Sequence, residues 1–283
     1  MTLKLRPFTL EDADVCGAIC YEAFKQIDEA HGFPPSFESA ESAAAILGSR
    51  AREGFYGVVA ELDGRIVGSN FLDERSVVAG LGPISVDVNF QNGAIGRELM
   101  RDALDRVASE GFVGVRLTQS AFHSRSLSLY SKLGFVVREP LAVMKGASIG
   151  VTLAGCSVRP ATEADIDGCS RVCVKVHGLD RDGEVMDAVR RRNASVVERG
   201  GRITGYTTGF GGGHAVAESN EDVKALIGAA SAFPGNGFLV PTRNADLFTW
   251  CLDHGLRVVE PMTLMSLGLY QEPTGAFIPS YLF

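Results

Sequence analysis

A short loop at residues 91–96, QNGAIG, has the composition and the position of a phosphate-binding turn. The residues before it alternate, which predicts a strand with Ile84, Val86 and Val88 on one face, and a helical pattern begins near Ile95. A helix that starts directly after a small-residue loop leaves unpaired backbone N–H groups at the positive end of its dipole, where a phosphate or diphosphate can bind. Alone, such a turn is as often only a tight connection.

The elements after this turn extend the pattern. Arg97, Arg101 and Arg106 follow on the predicted helix and could meet further phosphate charge. The chain then continues through GVRLTQSAFHSRSLSLYSKLGF. It predicts a strand over residues 113–117, a loop, and a helix from about Ser124 that ends with a glycine just past its last turn.

These two segments resemble the GNAT superfamily of N-acetyltransferases. The acetyl-CoA loop of that family has the form Q/R-x-x-G-x-G/A, which the chain fits at Gln91 and Gly96 but not at Ala94. A later family motif has the form N-x-x-A-x-x-L-Y-x-K-x-G-F. The chain fits it at Leu129, Tyr130, Lys132, Gly134 and Phe135, and departs from it at His123 and Ser126. The likeness covers nearly all of residues 3–145, including the hairpin DGRIVGSNF.

The resemblance implies that acetyl-CoA is the cofactor, that it donates its acetyl group directly to an amine, and that no metal takes part. Backbone N–H groups of the loop would hold the diphosphate, and the edge of the preceding strand would bind the pantetheine arm. Tyr130 would lie beside the thioester sulfur as the general acid for the departing thiolate. The residues expected to contact the cofactor are Val86, Asp87, Val88, Gln91, Asn92, Gly93, Ala94, Ile95, Gly96, Arg97, His123 and Ser126.

The departures from the family motifs carry their own expectations. Ala94 is tolerable in place of glycine only if its φ is negative, although Gly93 could supply the permissive backbone instead. His123 could contact the cofactor or the acceptor, or equally be a solvent-facing helix cap. Glu74 is the predicted catalytic base, with Asp73 and Asp87 as alternatives, and each of these carboxylates could instead be mere surface charge.

The chain repeats itself. RPFTLEDADVCGAIC, from Arg6, returns as RPATEADIDGCSRVC from Arg159, and ELDGRIVG and GFVVREPLAVM have counterparts in ERGGRITG and GLRVVEPMTLM. Each copy opens with a strand and a helix that begins with a T-x-x-D capping box. We predict an α/β (α+β) protein of two tandem GNAT-like domains, 1–147 and 155–283, each a mixed, mostly antiparallel central sheet flanked by helices.

The second copy lacks the features that bind cofactor. It is shorter where the loop should be, and its helix begins at SNED, with Glu221 and Asp222 in a first turn that would repel a diphosphate. Cys251 occupies the position of the tyrosine. The segment GFGGGH, residues 209–214, is predicted to be a flexible turn, and the C-terminal TGAFIPSYLF a final strand. We therefore predict a degenerate second domain.

Composition limits the other function classes. A net charge of -7 argues against general nucleic-acid binding, and no apolar run approaches the length of a membrane-spanning helix. The start MTLKLRP has no apolar signal core, so we expect a cytoplasmic protein. The cysteine pairs Cys16/Cys20 and Cys169/Cys173 are interpreted as small core residues in preference to metal ligands.

The leading hypothesis is an N-acetyltransferase that acts on a small-molecule or peptide amine. The alternative is a CoA-binding sensor or scaffold without catalysis, in which Ala94 and His123 mark lost activity. An acyl chain other than acetyl, the identity of the acceptor and the oligomeric state stay open at this point.

Overall fold

The computed structural model describes residues 2–91 and 93–282. Strands and helices alternate in the manner of an α/β protein. The strands are β1 (Leu3–Pro7), β2 (Phe55–Leu62), β3 (Arg65–Asp73), β4 (Val78–Leu81), β5 (Ser85–Val86), β6 (Gly114–Ser120), β7 (Val136–Lys145), β8 (Ser157–Pro160), β9 (Ser195–Arg199), β10 (Arg202–Thr207), β11 (Ala215–Ala217), β12 (Phe238–Pro241), β13 (Arg257–Gly268) and β14 (Ala276–Ile278). The α-helices are α1 (Ala13–Ala30), α2 (Ala40–Gly48), α3 (Ile95–Ser109), α4 (Ser124–Lys132), α5 (Ile166–His177), α6 (Asp182–Arg190), α7 (Asn220–Ala229) and α8 (Ala245–Asp253).

The two copies of the opening segment fold in the same way. A short 3-10 turn over Leu10–Asp12 precedes α1, and both reciprocal bonds of the capping box between Thr9 and Asp12 are present. Arg6 holds the Asp12 carboxylate with two hydrogen bonds of 2.8 Å, and this ion pair lowers the pKa of Asp12 to about 2. The same box and ion pair recur before α5, where Arg159 holds the Asp165 carboxylate. The predicted capping boxes are confirmed.

The four helical cysteines are buried in the core. Cys16 and Cys20 of α1 pack in a cluster with Leu47, Val59 and Phe71. Cys169 and Cys173 of α5 pack in the corresponding cluster of the second half. Burial raises the pKa of the Cys16 and Cys20 thiols to about 12, so they remain protonated at neutral pH. Their position matches the interpretation as small apolar residues.

Two strands of the second half lie inside the sheet of the first. A nine-stranded sheet has the order β1-β2-β3-β4-β6-β13-β7-β12, with β5 paired to β3. In it β13 pairs antiparallel with both β6 and β7, and β12 pairs antiparallel with β7. The strands that remain form a five-stranded sheet of order β14-β11-β10-β9-β8.

This arrangement is an exchange between the two copies of the repeat. The equivalent strands are β7 and β13, which carry the related sequences VVREPLAVM and RVVEPMTLM. Each of them lies beside the strand that precedes its counterpart, β13 against β6 and β7 against β12. The proposed units 1–147 and 155–283 therefore share backbone hydrogen bonds across the boundary between them.

The C-terminal segment crosses back to the first half. The predicted final strand is present as β14, at the edge of the five-stranded sheet beside β11. Beyond it, the hydroxyl of Thr118 on β6 donates to the carbonyl oxygen of Tyr281. Leu282 lies against Gly80, where a Cβ would be 3.0 Å from the Leu282 Cβ. Residues 281 and 282 therefore pack against β6 and β4.

Candidate active site

A cleft opens where β4 and β6 part. The two strands run parallel and pair from Val78 with Gly114 to Gly80 with Arg116. After that point the chain turns away and pairs with β3 as β5, while β6 continues to Ser120 beside β13. The cleft belongs to a cavity of about 920 Å³ that is lined on one side by residues 81–86 and on the other by residues 117–120.

The strand before the phosphate loop is shorter than predicted. The alternation of Ile84, Val86 and Val88 predicted one continuous strand, but β5 holds only Ser85–Val86. Val88 instead begins a 3-10 turn, Val88–Phe90, because the Asp87 carboxylate caps it by accepting from the Asn89 N–H. That prediction was wrong for Val88. Val86 lines the cavity, and its carbonyl accepts a hydrogen bond from Gln91 Nε2 at 3.3 Å.

The first turn of α3 faces the same cavity. Gln91, Ala94, Ile95, Gly96 and Arg97 line it. The N-cap residue Ala94 makes no side-chain capping bond, so the first N–H groups of the helix have no side-chain acceptor there. Gly93 is exposed and directly precedes the lining residue Ala94. The predicted contact Asn92 lies outside the described residues. The start of α3 thus faces the cavity without a side-chain cap.

Ala94 has a left-handed backbone conformation, with φ of 65°. The expectation of a negative φ was therefore wrong. A left-handed conformation costs a residue with a Cβ about 1–2 kcal/mol.

Replacing Ala94 with glycine should therefore stabilise the protein. We expect Ala94→Gly to raise the free energy of unfolding by about 0.5–1 kcal/mol, since the relief of strain exceeds the extra chain entropy that glycine loses. Urea denaturation measures this. The matched control is Ala108→Gly, an exposed residue inside the same helix, which should lower stability by about 1 kcal/mol. Equal losses in both variants would contradict the strain.

Of the three arginines on α3, Arg97 lines the cavity, and the other two do not. Arg101 pairs with Glu98 at 2.8 Å, and Arg106 pairs with Glu74 at 2.9 Å and with Glu110 at 2.8 Å. The expectation that Arg101 and Arg106 meet phosphate charge is therefore not supported. Arg125, which the sequence analysis did not single out, lines the cavity and donates to Gln91 Oε1 at 2.9 Å.

The residues that replace the family's asparagine and alanine lie at the start of α4. His123 is the N-cap residue and lines the cavity. Burial, together with the charges of Arg125 and His31, lowers the pKa of His123 to about 4, so it is neutral at pH 7. Ser126 also lines the cavity, and its hydroxyl oxygen lies 2.8 Å from both Gln119 Oε1 and the His123 carbonyl oxygen, which share its one proton. Neither side chain therefore brings positive charge to a diphosphate.

Tyr130 lies on α4 and lines the cavity between the two parted strands. It is 6% exposed and packs on Phe135, with the ring centroids 6.1 Å apart. Burial raises the pKa of Tyr130 above its ordinary value, so its hydroxyl keeps its proton throughout the neutral range. The structure thus brings Tyr130 to the same cavity as the start of α3.

The carboxylates predicted as bases are all engaged by arginines. Glu74 accepts two hydrogen bonds from Arg106, at 2.9 and 3.1 Å, and is not among the residues that line the cavity. This placement argues against Glu74 as the base. Asp87 accepts from Arg65 at 2.8 Å. Asp73 lines the cavity, but it forms a salt bridge with Arg75.

The second half supplies much of the cavity wall, in line with the hypothesis that it completes the acceptor cleft. The contributions come from α6, from the glycine-rich segment after β10, from β13 and from the C-terminal segment. Among them are Glu184, Asp187, Phe210, Glu260, Met262 and Tyr281. The segment predicted as a flexible turn is thus part of the wall. Its two ends are joined, because the His214 N–H donates to Thr208 Oγ1 at 2.8 Å.

The corresponding helix start in the second half is closed. Ser219 caps α7 by accepting from the Asp222 N–H at 3.3 Å. The buried Asp222 carboxylate lies in the first turn, where it accepts from Thr204 Oγ1 at 2.9 Å and pairs with Arg199 at 3.2 Å. Cys251, at the position of the tyrosine, is fully buried. An anion would meet a carboxylate at this helix start.

Within residues 2–91 and 93–282, no helix is long and apolar enough to cross a membrane. The same residues contain no group of three or more His, Cys, Asp and Glu side chains that could hold a metal ion.

Comparison with known proteins gives a family match within the first half of the chain. Residues 19–135 match the sequence model of the acetyltransferase (GNAT) family. No curated protein matches the chain in sequence.

Solved structures resemble the chain over nearly its whole length. A protein from Pyrococcus horikoshii assigned to the acetyltransferases is 19% identical with a TM-score of 0.75, over 99% of this chain and 95% of that one. A GCN5-related N-acetyltransferase from Sphaerobacter thermophilus is 13% identical with a TM-score of 0.63, over 95% and 96%. A tandem GNAT protein from the clavulanic acid biosynthesis pathway is 12% identical with a TM-score of 0.55, over 94% and 98%. At these identities the likeness shows the fold. Together with the family match, it identifies residues 19–135 as a domain of the acetyltransferase (GNAT) family, in a chain that shares the fold of a tandem GNAT protein.

Proposed function

We propose that the protein transfers the acetyl group of acetyl-CoA directly to the amine of a small molecule or a peptide, and that the first half alone binds the cofactor. The observation that carries this proposal is the single cavity that joins the uncapped start of α3 to Tyr130 and to the wall from the second half. A bound nucleotide and an acceptor could therefore meet inside it.

The residues present fit the cofactor. The first turn of α3 has no side-chain cap, and Gly96 leaves its backbone open to a diphosphate. Because the chain leaves β6 after β4 and pairs with β3 as β5, a passage for the pantetheine arm opens between β5 and β6. Val86, Ile95, Gly96, Arg97, His123 and Ser126 are proposed contacts in this passage.

The proposed chemistry needs little from the protein beyond placement and one proton. A neutral amine attacks the thioester carbonyl, and the thiolate that leaves takes a proton from Tyr130. A raised pKa makes the Tyr130 phenol a weaker acid, but it guarantees that the proton is present when the sulfur leaves. Direct transfer requires both substrates to be bound together, which a cavity of about 920 Å³ allows.

A titration and an assay test the proposal. Isothermal titration with CoA should give one site per chain, because the start of α7 is closed. Acetyl-CoA with a panel of amines should then release free thiol in step with acetylated product. Binding at one site without turnover across a broad panel would favour the sensor function instead. Two sites per chain would contradict the closed second half.

A further inference from the structure

Glu260 is a buried carboxylate without a positively charged partner in the described structure. It lies on β13, which the second half inserts beside β6, and it lines the cavity. The residue is 4% exposed, and its Oε2 has no hydrogen-bond partner among residues 2–91 and 93–282. A buried carboxylate oxygen normally has a donor, because an unpaired one is costly. Its free oxygen therefore points to a ligand that donates.

The repeat supplies an internal comparison at Glu139. Glu139 precedes Pro140 on β7 as Glu260 precedes Pro261 on β13, 121 positions later in the sequence. Both glutamates are buried, Glu139 at 5% exposure. One oxygen of each has no described partner, but the other oxygen of Glu139 pairs with Arg243 at 3.3 Å, and Glu139 does not line the cavity.

The difference arises from one position before α4 and its equivalent before α8. Arg243 precedes α8 by two residues, as Phe122 precedes α4. Phe122 cannot pair with a carboxylate, and instead stacks on Phe33 with the ring centroids 4.3 Å apart. Arg243 of the second half thus neutralises the carboxylate of Glu139 in the first half, whereas Glu260 of the second half faces the cavity without an equivalent arginine.

The surroundings of Glu260 increase the demand for a cation. Asp28 on α1 is fully buried, and while its Oδ2 accepts from Ser36, its Oδ1 has no described partner. Burial and the charge of Asp28 raise the pKa of Glu260 to about 7. Burial and the charge of Glu260 also raise the pKa of the Tyr281 phenol in the C-terminal segment. Apolar side chains line the same cavity, among them Phe24, Ile27, Phe37 and Met262.

We propose that Glu260, supplied by the second half, is the general base of the site in the first half, and that the acceptor is an amine that is a cation in water. The inference rests on the proposed function and names its substrate class. The Glu260 carboxylate, with Asp28 behind it, attracts the ammonium group and then accepts one of its protons. An alcohol or an acidic acceptor would bring no charge to match the two carboxylates.

The proton balance closes with residues already described. Glu260 takes one proton from the ammonium, which frees the nitrogen lone pair. The C–N bond forms as the amine attacks the thioester carbonyl, and the C–S bond breaks as Tyr130 protonates the sulfur. The second proton that leaves the nitrogen returns to Tyr130 through solvent, and Glu260 releases its proton to solvent. The products are an amide, free CoA and one proton.

The test compares Glu260→Gln with Glu139→Gln as the matched control. In the wild type, kcat/KM for an alkylamine should fall tenfold per pH unit below about pH 7, because the base becomes protonated. Glu260→Gln should lower kcat/KM at pH 7 by about 100-fold. Its rate should rise with pH toward the pKa of the amine, since it can use only the neutral form. Glu139→Gln should keep the wild-type rate and profile.

An aromatic amine separates proton removal from general damage. It is already neutral at pH 7, so Glu260→Gln should slow it far less than an alkylamine. CoA affinity by calorimetry should not change. The melting temperature of Glu260→Gln should exceed that of the wild type at pH 8 but not at pH 4. The pKa of Glu260 in the folded protein lies above its ordinary value of 4.5, so the wild type loses stability as the pH rises from about 4.5 to about 7, and the neutral glutamine does not.

The outcomes are distinguishable. Wild-type turnover with an unchanged rate and pH profile in Glu260→Gln would overturn this inference and leave the proposed function standing. Equal slowing of the alkylamine and the aromatic amine would also overturn it. Absence of turnover in the wild type with every amine would overturn both.

Discussion

Gly96→Glu should weaken CoA binding by at least about 100-fold without unfolding the protein. Gly96 is the second residue of α3, and a Cβ there would be 3.7 Å from Val86 Cγ2 and 3.9 Å from Leu129 Cδ2, so a side chain fits. A carboxylate about 4 Å from a phosphate charge is repelled by about 4 kcal/mol at an effective dielectric constant of about 20. Each 1.4 kcal/mol is about a tenfold change in affinity. Calorimetric titration with CoA measures the loss.

The second half provides the matched control for this substitution. Glu221 is the second residue of α7, so Gly96→Glu gives the first helix the charge that the second one already has. Glu221→Gly should leave CoA affinity unchanged. Gly96→Gln separates size from charge and should bind CoA more tightly than Gly96→Glu. If the two substitutions at Gly96 weakened binding equally, the diphosphate would not lie at this helix start.

Tyr130→Phe should lower kcat by about 100-fold and leave CoA affinity nearly unchanged. The substitution removes the hydroxyl that protonates the sulfur but keeps the ring that packs on Phe135. Steady-state kinetics with acetyl-CoA and an alkylamine measures the effect, and a thiol of lower pKa in the acyl donor should restore part of the rate, since it leaves without a proton. Recovery with such a donor is a result that a merely structural tyrosine would not give.

The control for this variant is Tyr56→Phe. Tyr56 does not line the cavity, and its hydroxyl donates to Asp102 at 2.7 Å. Losing that bond should cost about 1 kcal/mol of stability with no change in kcat. An unaltered kcat in Tyr130→Phe, beside a turning-over wild type, would remove Tyr130 from the chemistry.

Local signals in the sequence predicted local structure well. The capping boxes at Thr9 and Thr162 formed because the side-chain bonds that define them lie within four residues of chain. The start of α3 and the glycine that ends α4 followed for the same reason. The expected conformation was wrong at Ala94, whose φ of 65° is one that alanine disfavours and that residue type alone does not predict.

Contacts between distant segments were beyond the sequence. The repeat indicated two equivalent units, and the exchange of β7 and β13 between them depends on pairing over more than a hundred residues. Because of this exchange, the proposed base Glu260 comes from a strand that is distant in sequence from the cofactor loop. Glu74 is predicted from its place near the end of the third strand, but Arg106 on α3 engages it. The signal for Glu260 was its match to Glu139, which became informative only once Arg243 was seen beside one of them.

The insertion of β13 between β6 and β7 makes the two halves inseparable. A protein cut in the connection between residues 147 and 155 would leave the facing backbone groups of β6 and β7 without their partners along most of their length. Such bare strand edges pair with other chains, so the fragment would aggregate before it could act as a smaller enzyme. The first half thus needs the second half in order to fold, even though the second half has lost its own ligand site.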